Sequence, residues 1–158
     1  MHRYCLTLGW LLWLSSPLGA VQAADVVTLN IPDPIVVQAG GSAVAGIGIT
    51  VKPGYHVQAN PVKNLSLIPI VLDIKPHKEV VPGKPLYPES KTLRLAGSDE
   101  DLVVYDGQFA IRLPVIVRPG AQPGEAVLAG TLRYQACDDE HCLFPVTLTL
   151  KLPVRISR

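Results

Sequence analysis

The sequence predicts an all-β chain folded as a β-sandwich, and three observations carry that expectation. Apolar residues recur at period two, at Ala43, Ala45, Ile47, Ile49 and Val51 and again at Phe109, Ile111, Leu113, Val115 and Val117. Such alternation marks strands with one buried face. Turn-forming groups fall between the runs, at Ala39-Gly40-Gly41, Lys52-Pro53-Gly54, Asp106-Gly107 and Pro119-Gly120, where Gly and Pro supply the backbone angles that reverse a chain. Beyond the amino-terminal segment, no stretch carries a helical period.

Val26 to Ile31 is the first expected strand, ended by Pro32 and the turn-like Asp33-Pro34. Ser42 to Val51 is the second. Leu67 to Ile74 and Lys91 to Leu95 are less regular candidates. Phe109 to Val117 sets its apolar face against Ala110, Arg112, Pro114 and Ile116. Val127 to Gln135 follows, and Val146 to Leu152 closes the set, with Val146, Leu148, Leu150 and Leu152 inward against Thr147, Thr149 and Lys151. Many short strands at this spacing indicate an immunoglobulin-like sandwich. The Cys…Trp…Cys signature of antibody domains is missing, because both tryptophans, Trp10 and Trp13, lie near the amino terminus.

Residues 1–23 read as a secretory signal peptide. A short basic start (His2, Arg3) precedes an apolar run from Leu6 to Leu18 and a small-residue end, Ala20-Val21-Gln22-Ala23, with cleavage expected after Ala23. The run is too short for a comfortable membrane span, and no other stretch approaches about 18 apolar residues. No stable membrane insertion is expected. Cleavage would leave residues 24–158 as a single domain with room for one core. Losing Arg3 from the 14 basic residues leaves 13 against 13 acidic ones. That balance offers no basic patch for nucleic acid. The prolines are dispersed, and there is no repeat or low-complexity tract.

The segment Tyr134-Gln135-Ala136-Cys137-Asp138-Asp139-Glu140-His141-Cys142-Leu143-Phe144-Pro145 holds two of the three cysteines. The third, Cys5, lies in the expected signal. Export to an oxidising compartment makes a Cys137–Cys142 disulfide possible. The two should face each other across a hairpin mouth, within reach of the bridging distance. So small a loop constrains the unfolded chain less than a long-range bridge does. A dithiol that opens and closes uses this geometry better than a staple does; the alternative is a structural clip in a non-enzymatic interaction or chaperone-like β-sandwich. Asp138, Asp139 and Glu140 disfavour a thiolate, whereas a protonated His141 favours it. The loop therefore fits either a partner-gated pair or an inert one.

A second segment, Lys52-Pro53-Gly54-Tyr55-His56-Val57-Gln58-Ala59-Asn60-Pro61, mixes aromatic, imidazole and amide groups. Together with Tyr105-Asp106-Gly107, Leu113-Pro114 and the cysteine segment, it closely resembles the N-terminal periplasmic domain of the thiol:disulfide interchange protein DsbD, over about residues 26–153. The resemblance implies an immunoglobulin-like domain in the periplasm whose cysteine pair cycles between dithiol and disulfide. It implies electrons taken from a membrane-embedded or thioredoxin-like donor and handed to periplasmic oxidoreductases or other thiol clients. Cys142 matches the sulfur that enters the mixed disulfide and Cys137 its resolving partner. A cap loop over the pair should lie near Ser98 to Tyr105, with Leu102 or Tyr105 in place of the shielding aromatic of some members. His56, beside Asn60, falls near the cysteines and is expected to tune their protonation. Tyr134 and His141 complete the expected supporting set.

The chain ends at Arg158 with no spanning helix and no C-x-x-C motif, which leads to the expectation of a free-standing module supplied by separate proteins. The pair also has four intervening residues, where the best-known form of the domain has a slightly longer loop. No cofactor is expected. A metal site from Cys137, Cys142, His141 and His56 would suit soft or borderline metals, but the double spacing of zinc sites is absent. No Ser-His-Asp pattern, phosphate loop or catalytic carboxylate pair stands out.

Overall fold

A computed structural model describes residues 25–94 and 101–158. The expected signal peptide, with Cys5, and the first part of the expected cap, Ser98 to Glu100, lie outside these residues. Twelve strands form among the described residues, in three four-stranded sheets. The first sheet runs β1 (Val27–Asn30), β3 (Ser42–Val51), β9 (Gln108–Val117), β6 (Val80–Pro82). The second runs β2 (Ile35–Gln38), β12 (Val146–Ser157), β10 (Gly124–Tyr134), β5 (Val71–Ile74). A smaller third sheet runs β11 (Ala136–Cys137), β4 (His56–Gln58), β8 (Asp101–Tyr105), β7 (Lys91–Arg94).

The two larger sheets form an immunoglobulin-like sandwich around the faces that the alternation marks. Ala45, Ile47, Ile49 and Val51 of β3 and Ile111, Leu113, Val115 and Val117 of β9 are buried, as are Leu128 and Leu132 of β10 and Leu150, Leu152 and Val154 of β12. Each such Val, Leu or Ile contributes roughly 1.5–3 kcal/mol on leaving water. The amino-terminal chain divides between the sheets. β1 pairs antiparallel with β3, and after Pro32-Asp33-Pro34 the chain crosses to pair β2 in parallel with β12.

Several boundaries differ from the sequence expectation. Of Leu67 to Ile74, only Val71–Ile74 is a strand, because Leu67 N–H closes a turn onto Asn64 O and Pro69 has no N–H to donate. β12 runs on to Ser157 through Pro153. Its ladder with β2 begins only at Val154, so Pro153 sits where β12 has a partner on one side. The half of the expected cap loop that is described, Asp101–Tyr105, is a strand paired on both sides. Strands β2, β4, β6, β8 and β11 span two to five residues each, too few for a period to show.

Among the described glycines, Gly130 has the least room for a side chain. A Cβ there would stand 2.2 Å from Ile74 Cδ1 and 2.7 Å from Asp73 O, and the oxygen belongs to the backbone of the paired strand. Gly130→Ala is expected to cost about 1–3 kcal/mol by overpacking, read from the urea midpoint. Gly46→Ala, whose Cβ meets nothing within 4 Å, is its control and should leave the midpoint nearly in place.

Candidate functional site

The third sheet builds the site. Residues paired across antiparallel strands share a face, and neighbours along a strand alternate. Ala136 pairs with Val57 and Val57 with Tyr105, and all three belong to the hydrophobic core. Cys137 pairs with His56, Gln58 with Val104, and Leu102 with Leu93, so these side chains share the opposite face. Gly54 (φ +83°) turns the chain into β4 and Gly107 (φ +60°) turns it out of β8, angles that side chains other than glycine's resist.

Cys137 and Cys142 form a disulfide, with Cα atoms 4.0 Å apart. Leu143 N–H donates to Ala136 O at 2.8 Å and Asp138 N–H to His141 O at 2.9 Å. The cysteines between these bonds occupy a non-hydrogen-bonded cross-strand position, the closer of the two kinds. The Asp138 carboxylate accepts from the amides of His141 (2.7 Å) and Glu140 (2.9 Å). These bonds fold the connection onto itself and hold the Asp138 carboxyl below the usual carboxylate range.

The two sulfurs differ in access. Cys137 is 2% exposed, whereas Cys142 is exposed to solvent. Behind Cys137, Gln58 Nε2 lies 3.7 Å from its Sγ. His56 is buried, and burial pushes its pKa down, against the opposing fields of Asp139, Asp106 and Asp138. His56 Nε2 and Gln58 Oε1 are both shut away from solvent, with no hydrogen-bond partner among the described residues. An open depression lined by Tyr55, His56, Leu93, Asp106 and Asp139 adjoins this cluster. On the outer side, Phe144 is 89% exposed two residues beyond Cys142.

Of the residues expected from sequence, Cys137, Cys142 and His56 come together, and Leu102 lies on the same face of the sheet. Tyr105 faces the core instead, its ring 4.7 Å from that of Phe109 and its hydroxyl donating to Pro88 O at 3.0 Å. Tyr134 is wholly buried in the sandwich core, and burial raises its hydroxyl pKa. Asn60 Nδ2 donates to Ile70 O at 2.9 Å and closes the loop between them. His141 is an exposed loop residue 3.8 Å from Glu140. Among the described residues, no three His, Cys, Asp or Glu side chains gather as a metal site. Sequence reasoning passed over Gln58, although its spacing of two from His56 on a strand would have put both on one face.

An immunoglobulin-like sandwich that carries a local cysteine pair, one sulfur buried and one exposed, defines a class of small disulfide-bearing β-domains. Within that class, the chain belongs to the family described as "Thiol:disulfide interchange protein DsbD, N-terminal", whose profile matches residues 31–153. No curated protein sequence matches the chain. Among solved structures, it is similar to the N-terminal periplasmic domain of ScsB from Proteus mirabilis, at 12% identity and a TM-score of 0.49, over 80% of this chain and 44% of that one. The chain thus spans less than half the length of that protein. It is also similar to the reduced Neisseria meningitidis DsbD N-terminal domain, at 15% identity and a TM-score of 0.46, over 84% of this chain and 88% of that one.

The buried imidazole makes stability depend on pH. His56 has a folded pKa below its unfolded value, so it opposes folding as pH falls from about 6.5 through the depressed value and has no effect above that window. The domain should therefore lose stability between pH 7.5 and 5.5, by at most about 1.4 kcal/mol per pH unit for one proton. Urea midpoints of His56→Leu should be flatter over that range. Equal slopes in the two proteins would show that His56 is not the group responsible.

Proposed function

We propose that this chain is a periplasmic thiol–disulfide exchange module. It passes reducing equivalents between a membrane-embedded or thioredoxin-like donor and periplasmic disulfide oxidoreductases or other thiol clients, through Cys137 and Cys142. The observation that carries the reading is the unequal access of the two sulfurs, Cys137 buried and Cys142 exposed. Family membership supports it. Residues 1–23 serve in this reading as the export signal, and residues 24–158 as the working domain. No helix among the described residues is long and apolar enough to cross a membrane.

In the accepting direction, a donor thiolate attacks Cys142 Sγ. The new bond joins donor sulfur to Cys142, the Cys137–Cys142 bond breaks, and its electron pair leaves on Cys137. The donor's second thiolate then attacks its own sulfur in the mixed disulfide and releases Cys142. The donor is left as a disulfide and this chain as a dithiol. In the delivering direction Cys142 attacks the client disulfide, and Cys137 resolves the mixed disulfide by the same steps reversed. Exposed Phe144 offers apolar contact to a docking partner beside the reacting sulfur. In this reading Leu102 of β8 shields the cysteine face.

Serine variants of the purified protein test the assignment. Reduced Cys137→Ser, left with the exposed sulfur, should accumulate a mixed disulfide with an oxidised thioredoxin-fold partner on non-reducing gels, and Cys142→Ser should accumulate several-fold less. A reduction potential for the wild-type pair far below about −300 mV, with no exchange with such partners, would mark a structural clip and sink the reading.

A further inference from the structure

Gln58 is 1% exposed, yet it lacks part of the hydrogen bonding that a buried amide requires. Its backbone is fixed at the centre of the third sheet, paired with Val104 and accepting at its carbonyl from Ile70 N–H at 2.9 Å. Its side chain therefore stays against Cys137. With the disulfide closed, Nε2 meets Sγ at 3.7 Å, and a disulfide sulfur is only a weak acceptor. Oε1 has no donor among the described residues. The disulfide cannot supply one, because neither of its sulfurs carries hydrogen. A buried acceptor left this way is costly, whereas the same acceptor with a partner is not.

We propose that Gln58 is a positioning residue that stabilises Cys137 once the disulfide opens and so biases the pair toward the dithiol. The inference rests on the exchange reading for its place in a cycle, but not for its measurement. When a thiolate attacks Cys142 Sγ and the Cys137–Cys142 bond breaks, the electron pair goes to Cys137 Sγ. Gln58 Nε2–H already points at that atom and donates to it as it becomes an anion, the form in which sulfur accepts best. A proton taken from the attacking dithiol by way of solvent then makes Cys137 a thiol. End-for-end rotation of the carboxamide presents Oε1, and the thiol S–H donates to it. The overall change is one dithiol oxidised to a disulfide and this disulfide reduced to a dithiol, with protons and electrons balanced. The amide meets each state of Cys137 with the complementary end, and the thiol is the state that gives its oxygen a donor.

The sign follows. Removing the amide takes a full hydrogen bond from the reduced form, and from the oxidised form an orphan acceptor together with only the weak Nε2–Sγ contact, so the balance favours the disulfide. The experiment equilibrates wild type and Gln58→Met with dithiothreitol buffers and reads the dithiol fraction. The methionine preserves length and apolar bulk. The equilibrium should move about tenfold toward the disulfide, the scale of one net hydrogen bond, which for a two-electron couple lowers the potential by about 30 mV. The rate of reduction by dithiothreitol should fall with it, because the leaving thiolate has lost its donor. Gln58→Leu is the second variant, should the methionine disturb folding. An unchanged potential in a folded variant, or a shift toward the dithiol, overturns the inference. This readout needs no protein partner. A wild-type chain that never exchanges with thioredoxin-fold proteins would overturn the proposed function, and the role of Gln58 in setting the potential would still be decided by the shift.

Discussion

Strand β4 is three residues long and is gripped on both sides, by β11 through Ala136 and Cys137 and by β8 through Val104 and Tyr105. The site depends on that grip. Two ladders satisfy the β4 backbone, so its side chains must follow the alternation of a strand: Val57 enters the core with Ala136 and Tyr105, and His56 and Gln58 are forced to the cysteine side. Burying an imidazole and an amide there costs free energy unless they find partners. Apolar packing on the opposite face offsets that cost, and the sheet cannot turn its polar face outward without exposing Val57. A polar cluster with two unmet atoms is held behind one sulfur because the sandwich on the other side leaves it no alternative.

The acidic loop looks different in three dimensions from its appearance as a string of like charges. Asp138 is committed to the amides of Glu140 and His141, so its carboxylate shapes the loop. Asp139 borders the depression beside His56 and is the largest of the three acidic influences that oppose the effect of burial on that imidazole. Glu140 and His141 project into solvent with side chains 82% and 78% exposed, where water and salt screen them. A count of three carboxylates against one imidazole treats these groups as equivalent. The hydrogen bonds assign them separate tasks.

Long strands were legible in the sequence because alternation over ten residues, as in Ser42–Val51 and Gln108–Val117, leaves one arrangement of inside and outside. The cysteine segment was legible for a different reason: two cysteines around a short polar loop and between strand-like runs have few other places to go. The third sheet was not legible. Its strands are two to five residues long, and what makes them strands is pairing with segments far away in sequence, such as His56 with Cys137. Tyr105 was expected as a stand-in for the shielding aromatic of the cap and Tyr134 as part of the cysteine segment, but strand parity sends both into the core. Gln58 was passed over because an amide in a mixed segment carries no signal until its partner strand is known. Parity alone would have grouped it with His56.

The disulfide lies in a part of the fold that does not rely on it for its shape. It closes a sequence separation of five, which restricts the unfolded chain only modestly. Around it, Leu143 bonds to Ala136, Asp138 bonds to His141, Gln135 Nε2 reaches Leu143 O at 3.1 Å, and the Asp138 carboxylate gathers two further amides. None of these contacts passes through sulfur. These hydrogen bonds would remain available to hold the hairpin if the S–S bond were broken. A staple whose loss would loosen its surroundings is poorly suited to repeated opening. Here the surrounding hydrogen bonds shape the hairpin independently of sulfur, as the proposed exchange requires.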